Sequence, residues 1–115
     1  MPCITPRRFA KVHIFMADRF VVTVQNELEP LMPRFLANRL KEIVKMQTFL
    51  TQADFEAFKS AGHTLKGVGG GYGFPALSEL GARFEVCADA RDLKALALAL
   101  NEYSLYMAQV DVRFE

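Results

Sequence analysis

The sequence predicts an all-α fold: an up-and-down antiparallel four-helix bundle preceded by an extended N-terminal leader. Three observations carry that prediction. From Pro30 onward the apolar residues recur at steps of three and four. Four such stretches succeed one another with short connectors marked by Pro, Gly and Asp. The length of 115 residues fits one domain. The chain divides on this reading into a leader over residues 1–25 and a bundle over residues 26–115.

The leader differs in character from the bundle. Residues 1–15 carry Pro2, Pro6, Arg7, Arg8 and Lys11 and are expected to be loosely ordered, packed along the bundle or paired with a neighbouring chain. Met16 stands as an alternative start. Residues 20–24 are β-branched and aromatic with no helical period, so they read as extended. The first helix spans about residues 33–50, with Leu36, Leu40, Ile43 and Leu50 on one face and Pro33 in the first turn, where a missing N–H costs nothing. Asp54 is the expected N-cap of a second helix whose inner face holds Phe55, Phe58, Gly62, Leu65 and Gly69. The glycine-rich run over residues 69–73 should end it, and Pro75 opens a third helix with Leu77, Leu80, Phe84 and Cys87 facing inward. Asp92 is the expected cap of the last helix. Its stripe is Leu93, Leu96, Leu100, Tyr103, Met107, Val110 and Phe114.

Composition narrows the function. Fourteen basic residues against thirteen acidic ones leave a formal charge of +1, without the cationic field expected of a nucleic-acid binder. Two cysteines, Cys3 and Cys87, make no disulfide framework, which points to a reducing cytoplasm. Cys87 lies in an apolar stripe and reads as a small buried hydrophobe. No apolar run is long enough to span a membrane, and Arg7, Arg8, Lys11, Asp18 and Arg19 break up any signal-peptide core. A di-metal bundle would need Glu three residues before each histidine, but Ala10 precedes His13 and Ser60 precedes His63 at that spacing. There is no G-x-S-x-G elbow, and Val68 follows Gly67 where a phosphate-binding loop needs Lys. No cofactor or metal is expected, and His13 has no ligand-spaced partner.

The informative segment is residues 62–73, Gly-His-Thr-Leu-Lys-Gly-Val-Gly-Gly-Gly-Tyr-Gly. Each helical glycine costs roughly 0.5–1 kcal/mol against alanine, so something must require bare backbone there. At about 100° per residue, Gly62 and Gly69 fall in the core stripe, where they let a neighbouring helix approach. His63 falls roughly 140° from the stripe's centre, on the solvent side, with Lys59, Lys66, Gly67 and Gly70 as its neighbours. An exposed imidazole beside ammonium groups and bare backbone suits approach by another protein. In an antiparallel hairpin turning near Phe74, His63 stands eleven positions before the turn and Glu85 eleven after. Glu85 is therefore placed to accept a hydrogen bond from Nδ1–H of His63, leaving the Nε2 lone pair as a nucleophile.

These residues resemble the histidine phosphotransfer (HPt) domain, whose hallmark is His-x-x-Lys-Gly, here His63-Thr64-Leu65-Lys66-Gly67. The likeness covers roughly residues 28–114 and continues through Gly73, Leu77 and the helix carrying Glu85. It implies that His63 is the phosphoacceptor, Lys66 the cation beside the phosphoryl group, Gly67 the clearance for the partner and Glu85 the residue that orients the imidazole. Some relatives place a basic residue one turn beyond Glu85. This chain has Asp89 there, with Lys59 the candidate substitute. The resemblance implies a cytoplasmic phosphocarrier of a bacterial-type two-component phosphorelay, not an enzyme and without an ATP site, taking phosphate from one receiver-domain aspartate and passing it to another. Its partners would be receiver domains of response regulators or hybrid histidine kinases, which bring their own Mg²⁺, and a free-standing monomer is expected. A receiver-binding module of the same fold that is never phosphorylated is the competing reading. The joint presence of His63 and Lys66 favours the carrier.

Overall fold

The structure, a computed structural model, describes residues 20–115. Cys3, His13, Met16 and the expectations attached to residues 1–19 lie outside the described residues. Four helices appear where the apolar periodicity placed them: α1 (Met32–Gln52), α2 (Phe55–Tyr72), α3 (Pro75–Asp89) and α4 (Leu93–Gln109). A 3₁₀ turn, Asn26–Leu31, leads into α1. Both expected acidic caps form. Asp54 Oδ1 accepts from the Ala57 N–H at 3.1 Å and Asp92 Oδ1 from the Ala95 N–H at 3.1 Å, each satisfying an orphan donor of a first turn.

One boundary differs from the sequence reading and another is sharpened by the structure. Helix α2 ends within the glycine run as expected, at its far end: the helix continues to Tyr72, and Gly73 supplies the left-handed cap at φ 83°. The Phe74 N–H reaches back to the Gly69 carbonyl at 2.7 Å, which closes the helix in the manner of a glycine C-cap. Helix α4 stops at Gln109, and the next residues leave the helical path. Strand β1 (Phe20–Val24) pairs in parallel with strand β2 (Val110–Phe114), Phe20 opposite Val110 and Val24 opposite Phe114. Val110 and Phe114 are four apart, a step that keeps one face in both a helix and a strand. Val112, between them, shares their face only in a strand, and all three pack on the core. The boundary expected between residues 25 and 26 thus falls directly after a strand hydrogen-bonded to the last residues of the chain.

The core runs the length of the bundle. A file of rings crosses all four helices, from Phe49 to Phe58 to Phe84 to Tyr103, with centroids 5.9–6.0 Å apart. The three pairs meet edge-on, stacked and tilted in turn, within the range of favourable aromatic contacts. Cys87 is buried among apolar neighbours, as its stripe implied. The inner face of α1 is rotated from the expected one: Met32, Phe35, Arg39, Ile43 and Met46 are buried, whereas Leu40 is 54 % exposed. A charged side chain occupies that face because it is neutralised there. Arg39 donates to Glu42 Oε1 at 3.1 Å and lies over the Phe35 ring, and the Tyr103 hydroxyl donates to the same oxygen at 2.8 Å. Leu93, at the first position of α4, is likewise exposed rather than part of the stripe. On the opposite side of α4, Glu102 accepts from Arg83 of α3 at 2.8 Å.

Helices α2 and α3 pack backbone to backbone. A Cβ added at Gly62 would stand 2.7 Å from the Gly81 carbonyl oxygen, and one at Gly69 would stand 2.6 Å from the Ser78 nitrogen. Both are packing glycines, as the wheel indicated. Gly81 is the third member of the seam, and no helical wheel of α2 singles it out: a Cβ there would lie 2.5 Å from the Gly62 carbonyl oxygen and 2.5 Å from the Lys66 nitrogen.

Candidate functional site

The glycine seam determines what can happen on the outer surface above it. By letting α2 and α3 approach so closely, it brings side chains on their adjoining flanks within hydrogen-bond reach. His63 projects from α2 with its side chain 76 % exposed, and its Nδ1 lies 3.1 Å from Glu85 Oε2 on α3. The two residues equidistant from the turn thus meet atom to atom. An imidazole with its proton on Nδ1 donates that hydrogen to the carboxylate and leaves the Nε2 lone pair unoccupied.

Glu85 serves a second group as well. Its other oxygen, Oε1, is 2.9 Å from the Lys66 ammonium, so one carboxylate holds both the imidazole and the cation. The hydrogen bond from Lys66 keeps the Glu85 carboxyl below its usual range. The bond from His63 adds to this, and partial burial works against it. Lys66 is fixed from its backbone too, because the Ser78 hydroxyl donates to the Lys66 carbonyl at 2.6 Å. Sequence reasoning missed both the Lys66–Glu85 pair and Ser78. The same counting that matches His63 to Glu85 locates Ser78 beside Gly70, since the two stand equally far from Phe74.

Lys59 and Asp89 form an ion pair of their own at 2.8 Å, one turn beyond the His63–Glu85 bond. The Asp89 carboxylate, by hydrogen bond and charge, raises the Lys59 ammonium above its ordinary range. The lysine considered as a substitute for the missing basic residue is thus engaged by Asp89, the residue that stands in that position. Gly67 is exposed, and a Cβ built on it would meet nothing within 4 Å. No packing within the described residues requires glycine there, in contrast to Gly62, Gly69 and Gly81. What the missing side chain leaves is open space one turn from His63.

On the other flank of His63, helices α1 and α2 bound an open groove of about 460 Å³. Its walls include Lys41 and Lys45 from α1 and Ser60 and Thr64 from α2, with Arg39 and Glu42 also lining it. Among the described residues no group of three His, Cys, Asp or Glu side chains is arranged to hold a metal ion, and no helix is long and apolar enough to cross a membrane.

An exposed imidazole, tautomerically fixed by a carboxylate that also holds a lysine, can act as a nucleophile toward an electrophile carrying negative oxygens. Comparison with known proteins agrees with that chemistry. None of the curated proteins and none of the solved structures matches the chain. Residues 30–112 match the family described as Hpt domain, whose members are histidine phosphotransfer domains that work with receiver domains in phosphorelays. The match takes in all four helices together with His63, Lys66, Gly67 and Glu85, and the chain belongs to the Hpt domain family.

Proposed function

We propose that His63 accepts a phosphoryl group from the aspartyl phosphate of a receiver domain and passes it to the aspartate of another. The observation that carries this reading is the exposed His63 ring with Nδ1 on Glu85. In the forward step Nε2 forms the P–N bond as the P–O bond to the aspartyl oxygen breaks, and the aspartate departs as a carboxylate. The imidazole becomes cationic while its Nδ1 proton stays directed at Glu85, whose negative charge stabilises the charged ring. The return step reverses these bonds with the carboxylate of the second receiver as nucleophile. No proton needs to leave the site in either direction.

Lys66 stabilises the charge on the phosphoryl oxygens. Its ammonium carries three donors, so it can turn one toward the phosphate without abandoning Glu85. Phosphoryl transfer of this kind demands positioning and charge neutralisation more than covalent help from the protein. Gly67 leaves room for the receiver's backbone to approach. On this reading the chain works in the cytoplasm as a monomeric phosphocarrier without a cofactor of its own, and Mg²⁺ arrives with the receiver.

The test is phosphotransfer from a purified phosphorylated receiver in Mg²⁺, profiled over the receiver domains of the same genome. The wild-type chain should gain an acid-labile, base-stable phosphate. His63→Gln should gain none while keeping its helical circular dichroism. Labelling that persists in His63→Gln would refute the site.

A further inference from the structure

The groove between α1 and α2 holds charge that nothing in the described residues neutralises. Arg39 and Glu42 pair with each other at 3.1 Å, and Glu42 also accepts from Tyr103. The acidic side chain of the groove is thereby occupied. Lys41 and Lys45 remain, one turn apart on α1, both exposed and without an ion-pair partner among the described residues. Like charges at this spacing repel each other along a helix, so their conjunction does not serve the stability of α1.

Their position relative to the reactive ring is set by the hairpin. Helices α1 and α2 turn at Ala53 and Asp54. Val44 is nine residues before Ala53 and His63 nine after Asp54, so the two share a height, with Lys45 beside it and Lys41 one turn away. Ser60 and Thr64, on the opposite wall, flank His63 in sequence. The groove therefore opens next to the imidazole, on the flank away from Glu85. On the Glu85 flank, by contrast, Lys59 and Lys66 are each matched by a carboxylate.

We propose that this groove is a docking surface for an acidic segment of the receiver domain, with Lys41 and Lys45 as the residues that select and steer it. The inference rests on the phosphocarrier reading, because only a partner that must reach His63 is brought over this groove. Complementary charge at the edge of an interface acts mainly on the rate of encounter and on the exclusion of wrong partners. It is screened by salt, with a Debye length of about 10 Å at 0.1 M.

The experiment measures the initial rate of transfer from a cognate phosphorylated receiver, over a range of receiver concentration, at low and at high salt. The variant is Lys41→Glu with Lys45→Glu. Lys94→Glu, on the exposed face of α4, makes half of that change in net charge away from the groove and is compared with Lys41→Glu alone, which makes the same change within it. At low salt the double variant should need at least about fivefold more receiver for half-maximal rate, within the range that steering supplies. That difference should shrink at high salt, and Lys94→Glu should behave as wild type. If charge reversal disturbs the helical signal, Lys41→Gln with Lys45→Gln carries the test, with a smaller shift in the same direction. Wild-type half-saturation in the double variants, or a shift in Lys94→Glu equal to that in Lys41→Glu, overturns the docking surface while leaving transfer to His63 in place. Failure of every receiver to label the wild-type chain overturns the phosphocarrier reading and this proposal with it.

Discussion

Replacing Gly81 and Gly67 by alanine, one at a time, should move stability in opposite directions while slowing phosphotransfer in both. At Gly81 the new methyl would stand 2.5 Å from the Gly62 carbonyl oxygen, 2.5 Å from the Lys66 nitrogen and 2.8 Å from the Lys66 Cα. All three are backbone atoms of α2 and cannot swing aside, so the helices must part by about 1 Å to restore ordinary contact near 3.5 Å. Overpacking of this kind costs roughly 1–3 kcal/mol, and unyielding neighbours put Gly81 at the upper end. Alanine regains about 1 kcal/mol of helix propensity, leaving a net loss of about 2 kcal/mol. For a domain of this size that corresponds to a fall of roughly 10 °C in Tm. The same displacement carries Glu85, one turn along α3, away from His63, and a 3.1 Å hydrogen bond does not survive it. At Gly67 there is nothing within 4 Å to meet the methyl, so propensity alone should stabilise the fold by about 0.5–1 kcal/mol. Its cost falls on the receiver, which must now approach over an added side chain. Thermal unfolding monitored by circular dichroism, with transfer rates on the same preparations, separates the two effects. A Gly81→Ala protein as stable as wild type would refute the seam, and wild-type transfer by Gly67→Ala would refute the clearance.

The same geometry sets three further outcomes. Glu85→Gln should slow transfer, and its stability should differ from wild type in a pH-dependent way. The folded-state pKa of Glu85 is depressed, so its contribution is present above the unfolded carboxyl value and is lost as pH falls through the folded one. The difference between wild type and variant should therefore begin to shrink in urea titrations as pH falls below the ordinary carboxyl range, about pH 4, and a difference that stays constant with falling pH would contradict the ion pairing. Lys66→Ala should lower the rate of transfer at saturating receiver more than it weakens binding, as separate rate and titration measurements would show. Unchanged rates would reduce Lys66 to a surface lysine. Val24→Ala should cost about 2 kcal/mol in urea unfolding, because Val24 is 2 % exposed and the substitution leaves a cavity where β1 meets the core. A loss below the error of the measurement would mean that the strand adds little to the bundle.

Most of the fold is legible in the sequence because its signals are local. Pro33, Asp54, Pro75 and Asp92 mark helix starts through single backbone groups, and the stripes of α2 and α3 keep the helical period without interruption. The failures lie where a distant partner decides. Residues 110–114 satisfy a helical step and a strand face alike, and pairing with residues 20–24, far earlier in the chain, settles the matter. Arg39 turns inward because Glu42, itself held by the Tyr103 hydroxyl, receives it, which no apolar count on α1 reveals, and Leu40 lies at the surface instead. At the site, His63 and Glu85 are legible since helical phase and distance from the turn together fix their meeting. Gly81 escapes notice because a glycine among leucines looks like an ordinary break in a stripe, and its meaning depends on the backbone of the facing helix. The second bond made by Glu85, to Lys66, is hidden for a simpler reason: a carboxylate has two oxygens, and the pairing with His63 assigns only one.

The parallel pairing of β1 with β2 has a mechanical consequence. Phe20 opens one strand and Phe114 closes the other, at opposite ends of the ribbon. Tension applied through these two residues would pull the strands lengthwise past each other, loading every rung of the ladder at once instead of peeling them singly. The ribbon would then act as a clasp on the bundle, resisting force along the chain until the rungs give way together, while the His63 face, on the side of α2, carries none of the load directly.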